Sequence, residues 1–440
     1  MSAADASRLR MPRNQLSLFT DLDAVDSAAG IDRSRDVAAL ISRGCGLGGR
    51  NIRKVAVCSS VGRRGSVAPT TVSRSFPGAS FCGDSGGMRS ADYPHVLHGP
   101  TPVLSLGHPP HSCPMPAQRP LFADLNAIDP AAVDDGVRDL AARLSPRIHL
   151  GTSSWSFPGW TGLVYAASNG KPASEQTLAR HGLAAYAAHP LLRTVSLDRT
   201  FYATLTAPEF AAYATQVPDH FRFVVKAPAA FTDPAIRKSG SGEPARDNPS
   251  FLDGAAAAAT FVRPCLAGLG AKAGPLVFQF PPLGRRLLAD LPRLTARIAA
   301  FMAVLPRGPL YAVEVRDPQL VSREFAASLH DAGAVPCLAA HARMPHVAEQ
   351  AAAFGLGAAD CPLPLVARWN LHAGRGYEEA KADYFPFDRL VEEDLPSREA
   401  LATLARQAAA SDRDTFITVN NQAEGSAPLS VLKLATAIVA

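Results

Sequence analysis

The chain has 440 residues, 47% of them hydrophobic, and a formal net charge of +5. Ten Lys/Arg but only four Asp/Glu fall between Ile31 and Pro114, so that stretch carries about +6 and the remainder about −1; the basic balance belongs to a tail and gives no reason to place a nucleic-acid footprint on the folded part. No apolar run approaches the roughly 18 residues of a membrane span and the N-terminus has no apolar signal core, which predicts a cytoplasmic protein outside any membrane.

In chain order, residues 1–118 read as a largely disordered extension. "GLGGRN", "SVGRRGS" and "GHPPHSCP" show no sustained period and too little apolar surface to offset the entropy of ordering. Two related pieces frame the stretch, "LFTDLDAVD" at Leu18–Asp26 and "LFADLNAID" at Leu121–Asp129, each preceded by a Met-Pro. A local duplication, or an over-extended gene start with Met115 as the initiator, explains such a pair better than an array, which needs three or more units. Residues 119–146, running into "AAVDDGVRDLAARL", predict a helical lead-in. The seven cysteines include no C-x-x-C pair, so neither a zinc site nor a disulfide framework is suggested and a reduced compartment is the default.

From Arg147 to the C-terminus eight apolar strand-like runs follow one another: "RIHLGTSSW", "TVSLDRTFY", "FRFVVKAP", "PLVFQFPP", "LYAVEVRD", "AVPCLAAH", "LVARWNL" and "TFITVNN". Helix-like segments separate them. Thr206 with Glu209 forms a capping box, and Ser250 with Asp253 precedes an alanine-rich run; further helices are expected in "LLADLPRLTARIAAFMAVL", "SREFAASLHDAG", "HVAEQAAAFGLG" and "SREALATLARQAAA". Eight strands alternating with helices in about 290 residues predict an α/β fold, a (β/α)8 TIM-type barrel over residues 147–440, rather than an open doubly wound sheet. The latter would more often show a Gly-rich phosphate turn after its first strand, where this chain has "GTSSWSFPGW".

The active site of such a barrel lies at the C-terminal ends of its strands. Those ends offer Ser153, Ser154 and Trp155; Asp198, Thr200 and Tyr202; Lys226; Gln279; Glu314 and Arg316; His341; Arg368, Asn370 and His372; and Asn420 and Asn421. Glu314 and Arg316 are two apart on one strand and share a face, as a carboxylate beside an anion-binding guanidinium or as an ion pair filling the interior. Lys226 suits phosphate binding or a Schiff base, or snorkels to solvent. Arg368 and His372 with Gly374 and Gly376 occupy the region where barrels often bind phosphate, and His372 suits acid or base work if it is more than a structural residue. Asn420 and Asn421 offer amides for ligand hydroxyls or for loop capping, and alternation lets only one face the lumen. Trp155, Trp160, Tyr202 and Trp369 either stack on a ligand or belong to the core. The carboxylates and histidines lack metal-ligand spacing, and neither a G-x-S-x-G elbow nor a P-loop is present, which leaves no expectation of a metal or other cofactor.

Taken together, G-T-S-x-W at Gly151–Trp155 followed by Pro158-Gly159-Trp160, T-F-Y at Thr200–Tyr202, F-x-F-x-x-K at Phe221–Lys226 and F-Q-x-P-P at Phe278–Pro282 form an ordered set. It continues with E-x-R at Glu314 and Arg316, Arg368 with His372, and N-N-x-x-x-G-x-A over Asn420, Asn421, Gly425 and Ala427. In these motifs the chain resembles the YecE-like family, domain of unknown function 72. The resemblance implies a TIM-type barrel related in shape to sugar isomerases and the endonuclease IV class, and it supplies no reaction. Ser196 and Asp198 stand where the family usually has Glu and Asn, Asp233 follows Thr232 in place of the usual His, and Ser430 replaces a late Asn.

The expectation that follows is a ligand-binding mouth richer in cations and amides than in carboxylates. It suits a small anionic, phosphate-bearing polar ligand, a sugar phosphate or a nucleic-acid fragment, in a metal-independent hydrolase, lyase or isomerase. Lys226, Arg316 and Arg368 would bind charge, Glu314 or His372 would transfer protons, Lys226 would serve as a further catalytic group, and Trp155, Tyr202, Gln279, Asn420 and Asn421 would position the ligand. The alternative is a non-catalytic nucleic-acid or ligand-binding protein. Oligomeric state is left open by the sequence.

Overall fold

The computed structural model describes residues 127–167, 170–238, 243–358 and 360–440. The expected extension over 1–118, the second start at Met115 and the beginning of the lead-in, 119–126, lie outside the described residues. The rest of the lead-in holds a helix, Asp135–Arg143, whose N-cap Asp134 accepts from the Gly136 N–H.

All eight expected strands form: β1 Ile148–Thr152, β2 Thr194–Leu197, β3 Arg222–Lys226, β6 Ala273–Gln279, β7 Tyr311–Glu314, β8 Ala334–Ala340, β9 Leu365–Trp369 and β10 Thr415–Val419. They pair in parallel and in chain order, and β10 returns to β1 to close the ring. Two further strands, β4 Ala235–Arg237 and β5 Pro244–Asp247, make a short antiparallel hairpin after β3 that the sequence did not announce.

Closure leaves the sheet with two apolar faces, as a parallel barrel requires. The outer one packs on the helices and holds the large core, including Phe210, Phe261, Phe278, Ile298 and Trp369. The lumen holds a separate cluster of Val224, Val277, Ala312, Val335, Cys337, Val366 and Phe416, with His149 stacked on Phe416 at 4.7 Å. Burial there and the nearby Arg222 charge lower the His149 pKa to about 4, so this ring is neutral at pH 7 and suits an apolar floor.

Two helix starts, one before β3 and one after it, carry side-chain caps. The capping box forms, with Thr206 N–H donating to Glu209 Oε2 at 2.8 Å and Glu209 N–H to Thr206 Oγ1 at 3.4 Å. The alanine-rich helix is capped by Asp253, which accepts from Ala256 N–H at 2.9 Å, and not by Ser250. That helical stretch, Gly254–Lys272, is 19 residues long and apolar enough in length and composition to cross a membrane, which corrects the sequence expectation of no such run. Ala257, Ala258, Phe261, Val262, Cys265 and Leu269 are buried in the core and Phe261 packs edge-on against Phe278 of β6, so this apolar face serves the layer around the barrel.

Candidate functional site

Side chains alternate along a strand, so the residue two beyond each lumenal Val or Ala also points inward. From Val224, Val277, Ala312 and Val366 this rule leads to Lys226, Gln279, Glu314 and Arg368, one layer higher and at the C-terminal ends of β3, β6, β7 and β9. The lower lumen is apolar and the upper lumen is charged.

Glu314 is the centre of that upper layer and is fully buried. Its Oε1 pairs with Arg316 Nη2 at 2.6 Å and its Oε2 with Arg368 Nη1 at 2.9 Å. Asn370 Nδ2 reaches Oε1 at 3.5 Å. Arg368 also donates to Gln279 Oε1 at 3.3 Å and, through Nη2, to Asp198 Oδ2 at 3.0 Å. Burial alone would push the Glu314 carboxyl up; the charges of Arg316 and Arg368, with Lys226 beyond them, outweigh it and hold the group below its ordinary 4.5. The same surroundings act on Cys337 just beneath, whose thiol is pushed well up by burial and by the Glu314 charge.

The turn after β2 covers this layer. Ser196 Oγ donates to Asp198 Oδ1 at 2.5 Å, and Thr200 Oγ1 donates to the carbonyls of Leu197 and Lys226, tying the turn to β3. The Phe201 ring lies 4.2 Å from Lys226 Nζ, a cation–π contact. Arg316, Arg368 and Lys226 are buried, whereas the Asp198 side chain is 23% exposed, so Asp198 is the member of the cluster that meets solvent.

Lys226, Gln279, Glu314, Arg316 and Arg368 are thus brought together, with Asp198 and Asn370 beside them. The other candidates lie elsewhere. Trp155 is buried, donates to the Leu178 carbonyl at 3.1 Å and packs edge-on against Tyr213. Tyr202 is 54% exposed and edge-on to Phe201. Trp160 and Trp369 are buried in the outer core. His372 sits in the loop after β9, its Nδ1 at 2.7 Å from the Ala373 carbonyl and its Nε2 at 3.9 Å from Glu392, in a network with Arg375 and Tyr384. Gly374 in that loop has φ +82°, a conformation that favours glycine. Among the described residues no three His, Cys, Asp or Glu side chains converge as a metal site would need.

Asn420 folds back to accept from the Asn421 N–H at 2.8 Å. Asn421 is buried, and its Oδ1 accepts from Trp160 Nε1 at 3.2 Å and from Ala427 N–H at 2.9 Å, at the start of the last helix, Ala427–Val439. Replacing Asn421 with Ala removes the acceptor of the first N–H of that helix and orphans a buried indole donor, so chemical unfolding is expected to show a loss of roughly 2 kcal/mol.

Comparison with known proteins yields one family. The profile described as a protein of unknown function, DUF72, matches residues 149–440. No curated protein matches the chain. Among solved structures, a DUF72 family protein from Enterococcus faecalis is similar at 14% identity over 66% of this chain and 95% of its own, with a TM-score of 0.45. A DUF72 family protein from Thermotoga maritima is similar at 18% identity over 66% and 98%, with a TM-score of 0.42.

Proposed function

Since the chain belongs to the DUF72 family, whose description carries no reaction, we propose a function from the site alone: the C-terminal mouth of the barrel binds a small phosphate-bearing polar compound, a sugar phosphate or a nucleic-acid fragment, in the cytoplasm. The observation that carries this is the gathering of three cationic side chains, Lys226, Arg316 and Arg368, around Glu314 and Asp198 in one buried layer at the C-terminal ends of the strands. Guanidinium groups present paired donors that match phosphate oxygens.

Glu314 has a different role in this proposal from the one its sequence position suggested. A carboxylate held ionised by two guanidinium groups is a weak base, so it serves to aim Arg316 and Arg368. Proton transfer in a metal-independent hydrolase, lyase or isomerase then falls to a group on the ligand, or to Asp198 once the ligand has taken its place at Arg368. The locked state of Glu314 equally favours a second reading, a binding protein without turnover.

Calorimetric titration of the full chain with sugar phosphates and inorganic phosphate tests the proposal. Wild type is expected to bind, and Arg368→Met to bind at least tenfold more weakly, as loss of charge-assisted hydrogen bonds worth about 1.5–3 kcal/mol requires. Equal affinity in a variant with unaltered circular dichroism would remove the basis of the proposal. Phosphorus NMR of the bound compounds over hours separates turnover from binding.

A further inference from the structure

We infer that the turn Asp198–Phe201 is a built-in stand-in for the ligand, and that it restricts the site to phosphate monoesters. This rests on the reading of the mouth as an anion site and narrows it. Two of the three cations of the layer are contacted by this one short turn: Asp198 gives Arg368 a carboxylate at 3.0 Å, and Phe201 gives Lys226 the face of an aromatic ring at 4.2 Å. Arg368 itself is buried, and of the groups it contacts in this layer Glu314 and Gln279 are buried while the Asp198 side chain is 23% exposed, so Asp198 stands between Arg368 and solvent. A ligand arriving from the mouth therefore meets Arg368 already in contact with an anion.

The consequence is a threshold set by charge. A carboxylate or a phosphodiester carries one negative charge, and exchanging it for Asp198 at Arg368 replaces like with like. The displaced Asp198 also stays close, because Ser196 holds its other oxygen at 2.5 Å. A phosphate monoester at neutral pH carries about −1.5 to −2 and three acceptor oxygens. It brings more charge than it displaces and has oxygens to spare for Lys226 once the Phe201 ring moves aside. That makes the terminal phosphate of a sugar phosphate or a nucleotide the matching group, and the internal diester of a nucleic-acid chain a poor one.

The probes are methyl phosphate, a monoester, and dimethyl phosphate, a diester, titrated into the full chain and into Asp198→Asn and Phe201→Ala. Wild type is expected to bind methyl phosphate at least tenfold more tightly than dimethyl phosphate. Asp198→Asn is expected to bind methyl phosphate at least tenfold more tightly than wild type and to make dimethyl phosphate binding measurable, and Phe201→Ala to raise methyl phosphate affinity severalfold. If wild type binds methyl phosphate and Asp198→Asn binds it no better, the stand-in is wrong and the anion site survives. Equal binding of the two probes by wild type overturns the monoester restriction. If no form binds either probe, the anion site falls and this inference with it. Should Asp198→Asn fail to fold, Phe201→Ala decides, and an unchanged affinity there overturns the inference.

Discussion

Replacing Glu314 with Gln is expected to lower the unfolding free energy by about 3–5 kcal/mol at pH 7, the cost of removing one member of a buried ion cluster. The shape of the side chain is kept, but Arg316 and Arg368 lose the carboxylate that each contacts at under 3 Å, in a place that water does not reach. The effect depends on pH with a definite sign. Folding lowers the Glu314 pKa from its ordinary 4.5, so its contribution is complete above that value and fades as pH falls through the depressed one. Thermal unfolding of wild type and variant is therefore expected to differ most at neutral pH and to converge in acid. A difference independent of pH between 7 and 3 would mean that packing, and not charge, explains the loss.

Gly151→Ala is expected to be comparably damaging for a steric reason. A Cβ at this position would lie 1.8 Å from the Thr194 carbonyl oxygen and 2.6 Å from its carbon, both backbone atoms. β1 and β2 are in register over only two residue pairs, Gly151 with Thr194 and Thr152 with Val195. The Tyr186 hydroxyl reinforces this narrow seam by donating to the Thr194 carbonyl at 2.9 Å and bonding Thr152 Oγ1 at 2.8 Å. Forcing the strands apart there opens the ring, at a cost of roughly 3 kcal/mol or more. Soluble yield and circular dichroism report it. Gly357→Ala is the control, since its nearest atoms are side-chain atoms at 3.8 and 3.9 Å, and it is expected to change stability by less than about 0.5 kcal/mol.

The barrel was legible because every strand is an apolar run that ends in polar residues, a signature that survives without an alignment. Helices with a defined start, such as Ala207–Ala214 behind Thr206 and Glu209, were equally visible. Glu175–His181 and Leu183–Ala187 were not, since each is under eight residues and Gly182 interrupts them. Tyr377–Tyr384 is largely charged and lacks a clear apolar stripe, and the three- and four-residue β4 and β5 show no alternation. In the site, Lys226, Gln279, Glu314 and Arg368 could be read from the two-residue period because each still belongs to its strand. That period ends with the strand. Trp155, Tyr202 and His372 lie in the irregular backbone beyond, where nothing local fixes direction, and Trp155 and His372 find their partners elsewhere. Asp198 stood among the strand ends without distinction, because its importance comes from Arg368, 170 residues away.

A parallel barrel has little to tell its strands which way round to face. Val313 and Ala312 are both apolar, and either suits the lumen or the helical layer, so oil-like burial alone tolerates a slip of β7 by one residue. Glu314 does not tolerate it. The same slip would turn its carboxylate out among the helices, with Arg316 following it, and leave the Arg368 guanidinium inside without its partner, an error worth several kcal/mol. The ion cluster thus acts as a proofreader of alignment, rejecting misthreaded rings that hydrophobicity would accept.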